Sequence, residues 1–329
     1  MKPVTHMKAV IFHKYETLES LELIEVEKPS PKENEVLIKV HASSINSWDW
    51  DILNGIPFAN RIHFGLFKPK NKIIGCDIAG QVEKVGDKVK QLKTGDEIFG
   101  DISGCGMGGF AEYVCVPENI LALKPGGMSF EEAAAVPHTG VLALQGLRDK
   151  GHIQKGQKVL INGAGGGSGT FAVQIAKLFE ADVTCVDKGS KFNMLRSLGA
   201  DQVIDFTQED FTKNGQDYDL ILDVVTYRSI FDYKRALSPN GIYVMLGGGS
   251  YSKVFQCMFL GPLMSMTGSK KMGILMHKPN KKDLNTLIKL FEAGKVVPVI
   301  DRTYPLSELA EAFRYYGEGL AQGKVVITI

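Results

Sequence analysis

The sequence predicts an α/β protein of two domains, a doubly wound parallel sheet and a compact barrel-like domain of short strands. Three observations predict it. The apolar run Val159-Leu160-Ile161 meets a loop with five glycines between Gly163 and Gly169, followed by an amphipathic helix on Phe171, Ala172, Ile175, Ala176 and Phe179. From Lys158 onward strands and helices alternate, the pattern of a parallel sheet with helices on both faces. Before about Leu123 the chain is instead a series of β-branched and aromatic runs punctuated by Gly, Pro, Asn and Asp. A length of 329 residues suits two cores.

In order, the first part predicts strands at Ala9–Phe12, Val36–His41, Gln81–Val85, Glu97–Phe99 and Glu112–Val116. Ser129 and Glu132 have capping-box spacing, which predicts a helix through Ala133–Ala135 that Pro137 stops. The second part predicts strands Val159–Asn162, Asp182–Asp187, Gln202–Asp205, Leu220–Val225 and Ile242–Leu246, with helices such as Lys191–Leu198 and Ser229–Ala236 between them. The tail reads as strand, a helix over Ser307–Tyr316, and strand Lys324–Ile329.

Composition narrows the function. Hydrophobic residues make up 44% and charged residues 23%, ordinary for a globular protein, and the net charge is +1 from 38 basic and 37 acidic residues. Such a balance predicts no nucleic-acid and no membrane partner. The five cysteines are scattered without C-x-x-C spacing, which fits free thiols in a reducing compartment. The N-terminus lacks an apolar signal core. The most apolar late segment, Val254–Met266, is interrupted by Gln256, Gly261 and Pro262 and is too short to span a bilayer. The expectation is a cytoplasmic protein.

The glycine loop carries the first chemistry. Strand, bare turn and helix together hold a dinucleotide pyrophosphate, because side chains there would keep the phosphates from the helix N-terminus. Gly163, Gly165, Gly166, Gly167, Ser168 and Gly169 are therefore candidate cofactor-binding residues for a nicotinamide dinucleotide. Asp187 ends the next strand, eighteen residues past Gly169, where an acidic residue accepts the ribose hydroxyls of NAD. Lys188 and Lys191 follow at once and suit the 2′-phosphate of NADP, so the two signals conflict. Val224 and Val225 end another parallel strand, and Gly247 and Gly248 follow the last one. All four are placed to flank the cofactor at the sheet's C-terminal edge.

A third signal is Gly75-Cys76-Asp77-Ile78-Ala79-Gly80 continuing to Val89, then Thr94-Gly95-Asp96-Glu97-Ile98-Phe99-Gly100, Gly108-Gly109-Phe110-Ala111-Glu112-Tyr113-Val114, Ala133-Ala134-Ala135-Val136-Pro137, Ser197-Leu198-Gly199-Ala200-Asp201 and Gly323-Lys324-Val325-Val326. On these residues the chain resembles the medium-chain dehydrogenase/reductase superfamily, in its zinc-independent quinone oxidoreductase-like branch. The resemblance implies a GroES-like β-barrel catalytic domain from residues 1–123 and 292–329. A Rossmann domain over residues 124–291 lies between those two pieces of chain.

Zinc members resemble this chain with Cys where it has Asn46, His-Glu where it has Cys76-Asp77, and Cys or Asp where it has His138. Asn is not a usual zinc ligand, and the expectation is no metal. A Cys76, Asp77, His138 site is the dissenting reading. Without a Lewis acid the supported reaction is hydride transfer from NADPH (or NADH) to a quinone or α,β-unsaturated carbonyl, whose charge spreads onto a distant oxygen. By resemblance Asn46 is the catalytic donor to that oxygen. Asp49 orients it or relays a proton, or else stabilises the loop. Thr139 takes contact near the nicotinamide where relatives have Thr in place of Leu142, and Ser47 stands where relatives have Pro. The resemblance leans to NADPH. It also implies a homodimer through Met272–Met276.

Two rivals stand beside this reading: a dinucleotide-binding sensor or structural protein without turnover, and a zinc alcohol dehydrogenase with altered ligands. The apolar stretch Ile56–Lys70 reads as a wall of the substrate pocket or as core, and Met258, Met264, Met266, Met272 and Met276 read as core or interface.

Overall fold

The computed structural model of the protein describes residues 6–70, 72–247 and 250–329. The chain forms two compact units. One comprises the chain to His138 with Pro279–Glu292 and Pro298–Ile329; the other comprises Thr139–Lys278 with Ala293–Val297.

The first unit opens with the antiparallel pair β1 (His6–Phe12) and β2 (Leu21–Glu27). Then come β3 (Glu35–Ser44), helices α1 (Ser47–Asn54) and α2 (Phe58–Phe64), β4 (Asp77–Val85), β5 (Glu97–Asp101), β6 (Tyr113–Pro117), β7 (Ala122–Leu123) and helix α3 (Phe130–Ala134). The capping box that starts α3 is present: Glu132 N donates to Ser129 Oγ at 3.1 Å, and Ser129 N donates to Glu132 Oε2 at 2.8 Å. Pro137 does not merely end this helix. It opens α4 (Pro137–Gln145), because proline lacks only a donor that a first helical turn leaves unused.

The second unit is built on six parallel strands. After α4 come β8 (Lys158–Asn162), α5 (Gly167–Leu178), β9 (Asp182–Asp187), α6 (Phe192–Ser197), β10 (Gln202–Asp205), β11 (Tyr218–Asp223), α7 (Ile230–Ala236), β12 (Leu237–Met245), α8 (Tyr251–Thr267) and β13 (Lys271–Ile274). The order is β10-β9-β8-β11-β12-β13, which reverses beside β8 as in a doubly wound dinucleotide fold. Asn162 lies opposite Val186 and Asp223, and Asp223 opposite Met245, so the C-terminal ends of four central strands align at one edge. Buried Leu160, Ile221, Tyr233 and Tyr243 form part of the core beneath.

The chain returns to the first unit through α9 (Lys281–Glu292), β14 (Ile300–Pro305), α10 (Leu309–Gly317) and β15 (Lys324–Thr328). The seven-stranded sheet runs β14-β15-β3-β4-β5-β7, with β6 also paired to β3. Residues 124–138 and 279–291 belong to this unit and not to the dinucleotide unit. The reason is packing: α3 lies on β3, β4, β5 and β15, and α9 lies against β7. The stretch Ile56–Lys70 is not core throughout. Phe58 is 64% exposed and Phe67 90% exposed.

Candidate active site

In the first unit, β15 lies beside β3 and β3 beside β4. That order brings the head of β15, the loop after β3 and the head of β4 together. Each contributes one polar side chain at an otherwise apolar position. Lys324 and Asn46 are each 2% exposed, and Asp77 is fully buried.

Lys324 Nζ donates to Asn46 Oδ1 at 2.6 Å and to Ile45 O at 3.1 Å, and lies 3.5 Å from Asp77 Oδ2. The contact settles which way the Asn46 amide faces, since an ammonium can only donate. Asn46 Nδ2 then donates to Asp77 Oδ2 at 3.0 Å and to Ser44 O at 3.3 Å. Ser44 Oγ donates to the same Asp77 oxygen at 2.9 Å, and His138 N to the other at 2.9 Å. Burial pushes the Asp77 carboxyl up and the Lys324 ammonium down, and the attraction between them opposes both shifts.

The expected role of Asn46 is donor to a substrate oxygen. In this structure its amide hydrogens go to Asp77 and Ser44, and the amide couples a buried cation to a buried carboxylate.

Asp49 is fully buried in the first turn of α1. Its Oδ2 accepts from Asn46 N at 2.9 Å, while Oδ1 accepts from Gly75 N at 3.1 Å and from Cys76 Sγ at 3.2 Å. The carboxylate thus ties the start of α1 to the Gly75 turn. Burial raises it to about 6 against these hydrogen bonds. Burial and the adjacent Asp49 push the Cys76 thiol well above its usual range. The α1 helix is anchored from behind by Trp50, whose ring packs at 6.3 Å from Phe313 and 6.1 Å from Tyr316 of α10.

These residues do not fit a zinc ion. Asn46 Oδ1 and Asp77 Oδ2 already face an ammonium, and Cys76 is held as a neutral thiol that donates to Asp49. A divalent cation among them would meet Lys324 at close range, and zinc needs a thiolate where this thiol resists ionising. His138, from the same expected set, faces Asp101 Oδ2 through Nδ1 at 2.8 Å. Burial works against its imidazolium, but the Asp101 carboxylate prevails and raises it.

The second unit holds the glycine loop. Gly163 sits at φ +80°, and a Cβ there would lie 2.5 Å from Val225 Cγ2. A Cβ on Gly169 would lie 2.4 Å from Gly163 O. Both positions therefore need glycine, one for backbone conformation and both for close approach. Gly166 caps α5, so the amides of Gly167, Ser168 and Gly169 head that helix without an intrahelical acceptor. This bare cradle at a helix N-terminus fits a pyrophosphate.

Asp187 closes one side of the cradle. Its Oδ2 accepts from Gly165 N at 2.7 Å and its Oδ1 from Lys188 N at 2.8 Å, with Lys191 Nζ 3.4 Å from Oδ1. Asp187 and Lys191 are both buried, and Lys188 meets Asp187 through its backbone. Val224 N donates to Asn162 O at 2.9 Å, and Asn162 Nδ2 donates to Val225 O at 2.9 Å and to Asp223 Oδ1 at 2.7 Å. Thr226 Oγ1 lies 2.7 Å from Gly247 O, and Tyr243 Oη donates to Asp223 Oδ2 at 2.8 Å. So Val224, Val225 and Gly247 do gather on the sheet edge where the loop begins. Thr139 is buried in the first turn of α4. Gly248 lies outside the described residues.

Sequence reasoning gave no role to the side chains of Lys324, Ser44 or Asp101, and to Asp223 only a backbone place beside the cofactor. One signal was available: a lone Lys heads the apolar run KVVITI and a lone Asp ends the run LIL, and a charge at a buried strand position requires a partner.

Comparison with known proteins agrees with the geometry. Residues 32–126 match the alcohol dehydrogenase GroES-like domain, and residues 198–327 match the zinc-binding dehydrogenase family. The chain is 33% identical to the chloroplast envelope quinone oxidoreductase homolog of Arabidopsis thaliana, over 93% of each chain. It is 35% identical to the 2-methylene-furan-3-one reductase of Solanum lycopersicum, over 98% of this chain and 79% of that one. The quinone oxidoreductase from Coxiella burnetii superposes with a TM-score of 0.88 at 28% identity, covering 99% of this chain and all of its own. A GroES-like sheet, a doubly wound dinucleotide sheet and full-length relatives together place this chain in the medium-chain dehydrogenase/reductase superfamily, in its quinone oxidoreductase branch.

Proposed function

We propose that this protein reduces quinones or α,β-unsaturated carbonyls with NADPH and without zinc. The relatives named as quinone oxidoreductases and as an enone reductase support the substrate class. The observation that carries the metal-free reading is the position of Lys324 Nζ, bonded to Asn46 Oδ1 and Ile45 O beside Asp77. Oxidising a plain alcohol calls for a Lewis acid or base at the developing alkoxide, whereas a conjugated acceptor delocalises its own charge.

When bound, the dinucleotide supplies the hydride. The amides of Gly167, Ser168 and Gly169 would hold its phosphates, and Asp187 and Lys191 would lie beside its ribose. Lys191 and two backbone amides offset the charge of Asp187, so this carboxylate does not confront a 2′-phosphate uncompensated. That offset supports NADPH over NADH. Asn46 and Asp49 act as positioning residues, the first joining β15 to β4 and the second fixing α1 to the Gly75 turn. Among the described residues β13 pairs only with β12, and its open edge supports a homodimer.

The experiment is loss of reduced-nicotinamide absorbance with a panel of quinones and enones against saturated ketones, using metal-analysed protein. Turnover confined to conjugated acceptors, with far less than one zinc per chain, is expected. Stoichiometric zinc, or no turnover with any conjugated acceptor, overturns the proposal.

A further inference from the structure

Asp223 ends β11, and its side chain is fully buried. Asp77 has the Lys324 ammonium beside it and Asp187 has Lys191, but every hydrogen-bond partner of Asp223 among the described residues is neutral. They surround it: Asn162 of β8, Thr226 after β11, Tyr233 of α7 and Tyr243 of β12, with Cys257 of α8 also near. Burial holds both tyrosines and the thiol above their usual ranges, so they remain uncharged. The cations that act on these neighbours are Arg228, paired with Asp210 at 2.9 Å, and Lys150, and neither forms an ion pair with Asp223. A dry carboxylate without a counter-ion is costly, and the cost is relieved when the group keeps its proton. Burial pushes the Asp223 carboxyl up, against the hydrogen bonds around it.

An ionised Asp223 leaves its surroundings one hydrogen short. Asn162 Nδ2 donates its two hydrogens to Asp223 Oδ1 at 2.7 Å and to Val225 O at 2.9 Å. Tyr243 Oη donates its one to Asp223 Oδ2 at 2.8 Å. Thr226 Oγ1 lies 2.7 Å from Gly247 O and 2.9 Å from Asp223 Oδ2. A hydroxyl has a single hydrogen, and a carbonyl oxygen brings none. The shorter contact, to Gly247 O, takes the threonine hydrogen. The contact at 2.9 Å is then a hydrogen bond only when Oδ2 itself carries the hydrogen. With a carboxylate there, two acceptor oxygens would face each other in a dry site.

The network joins three segments of the sheet edge. Asn162 precedes Gly163 of the glycine cradle, Val225 and Thr226 lie in the turn after β11, and Gly247 lies in the turn after β12. Gly163 and Val225 approach so closely that a Cβ on the glycine would lie 2.5 Å from Val225 Cγ2. We propose that Asp223 is a positioning residue held as a neutral carboxylic acid, and that the chain from its Oδ2 hydrogen through Thr226 Oγ1 to Gly247 O fixes the turns after β11 and β12 at the spacing that admits the dinucleotide. The proposal rests on the dinucleotide seat assigned above and names the group that sets its spacing.

The test has two parts, both on the full chain. At neutral pH the infrared difference spectrum of the parent minus Asp223→Asn should contain the carbonyl band of a protonated carboxyl, shifted in heavy water. In steady-state kinetics Thr226→Val and Asp223→Ala break the hydrogen-bond chain, so KM for the dinucleotide should rise about tenfold while KM for a quinone and kcat change by less than about twofold. Asp223→Asn keeps a donor toward Thr226 and an acceptor toward Asn162, so it should recover most of what Asp223→Ala loses. Circular dichroism checks folding, and Thr226→Val, which leaves the carboxyl in place, carries the comparison should Asp223→Ala misfold. Absence of the carboxyl band overturns the proposal, as does an unchanged dinucleotide KM in Thr226→Val. An Asp223→Asn variant as impaired as Asp223→Ala also overturns it, because the charge and not the hydrogen would then be what the site needs. The band is read without cofactor or acceptor, so its absence counts against this proposal and not against the reaction assigned above.

Discussion

Lys324 Nζ donates to Asn46 Oδ1 at 2.6 Å, across 278 positions of sequence. Through that bond an ammonium buried at the head of β15 orients an amide whose hydrogens serve Asp77 and Ser44. The pair explains why a lysine persists in an apolar strand, and why Asn46 is spoken for.

Removing the cation should therefore cost more than its packing. Lys324→Met strands the Asp77 carboxylate in a dry site, and the expected loss of stability is about 3–5 kcal/mol. Adding Asp77→Asn to Lys324→Met should recover a large part of it. Urea denaturation of the two variants and the parent measures both effects.

Asp49 makes stability depend on pH in an unusual direction. Its folded value of about 6 lies above the unfolded 3.8, so the folded chain binds more protons in that interval. The stabilisation from this group is full below pH 3.8 and is lost as pH rises to about 6, where the charged carboxylate must be kept buried. Relative to Asp49→Asn, the parent should lose ~3 kcal/mol between those limits. Denaturation of both proteins across the pH series checks the slope. A difference that grows with pH would show that Asp49 is held ionised.

Lys191 should matter more for one cofactor than for the other. In Lys191→Ala the Asp187 carboxylate loses its neutralising partner and faces the ribose with its charge exposed. KM for NADPH should rise about tenfold, and KM for NADH should change little. Steady-state kinetics with both cofactors decides it. Equal effects on the two would mean that Lys191 supports the loop without touching the 2′ position.

Gly169→Ala tests the cradle itself. The added methyl would lie 2.4 Å from Gly163 O and 2.5 Å from Ala164 O, both backbone atoms that no rotamer change can clear. The loop must open, at a cost of about 1–3 kcal/mol in stability. Dinucleotide affinity, read by fluorescence titration, should fall by more than tenfold.

The parts that sequence determined are those written in contiguous residues. Five glycines between an apolar strand and an amphipathic helix specify a bare turn, because no other residue permits the approach that Gly163 and Gly169 make. The strand pattern after Lys158 likewise specifies a parallel sheet with Asp187 at a strand end. Only the tertiary structure decided what the charges do. Whether Asp187 meets a cofactor as a bare anion depends on Gly165 N and Lys191 closing on it, and whether Asn46 has a hydrogen to give depends on β15 lying beside β3 and β3 beside β4. The same holds for α8, whose methionines read equally as core or interface until the fold buries Met264 and leaves Met258 and Met266 exposed. Burial and charge pairing are set by neighbours distant in sequence, and a linear pattern does not contain them.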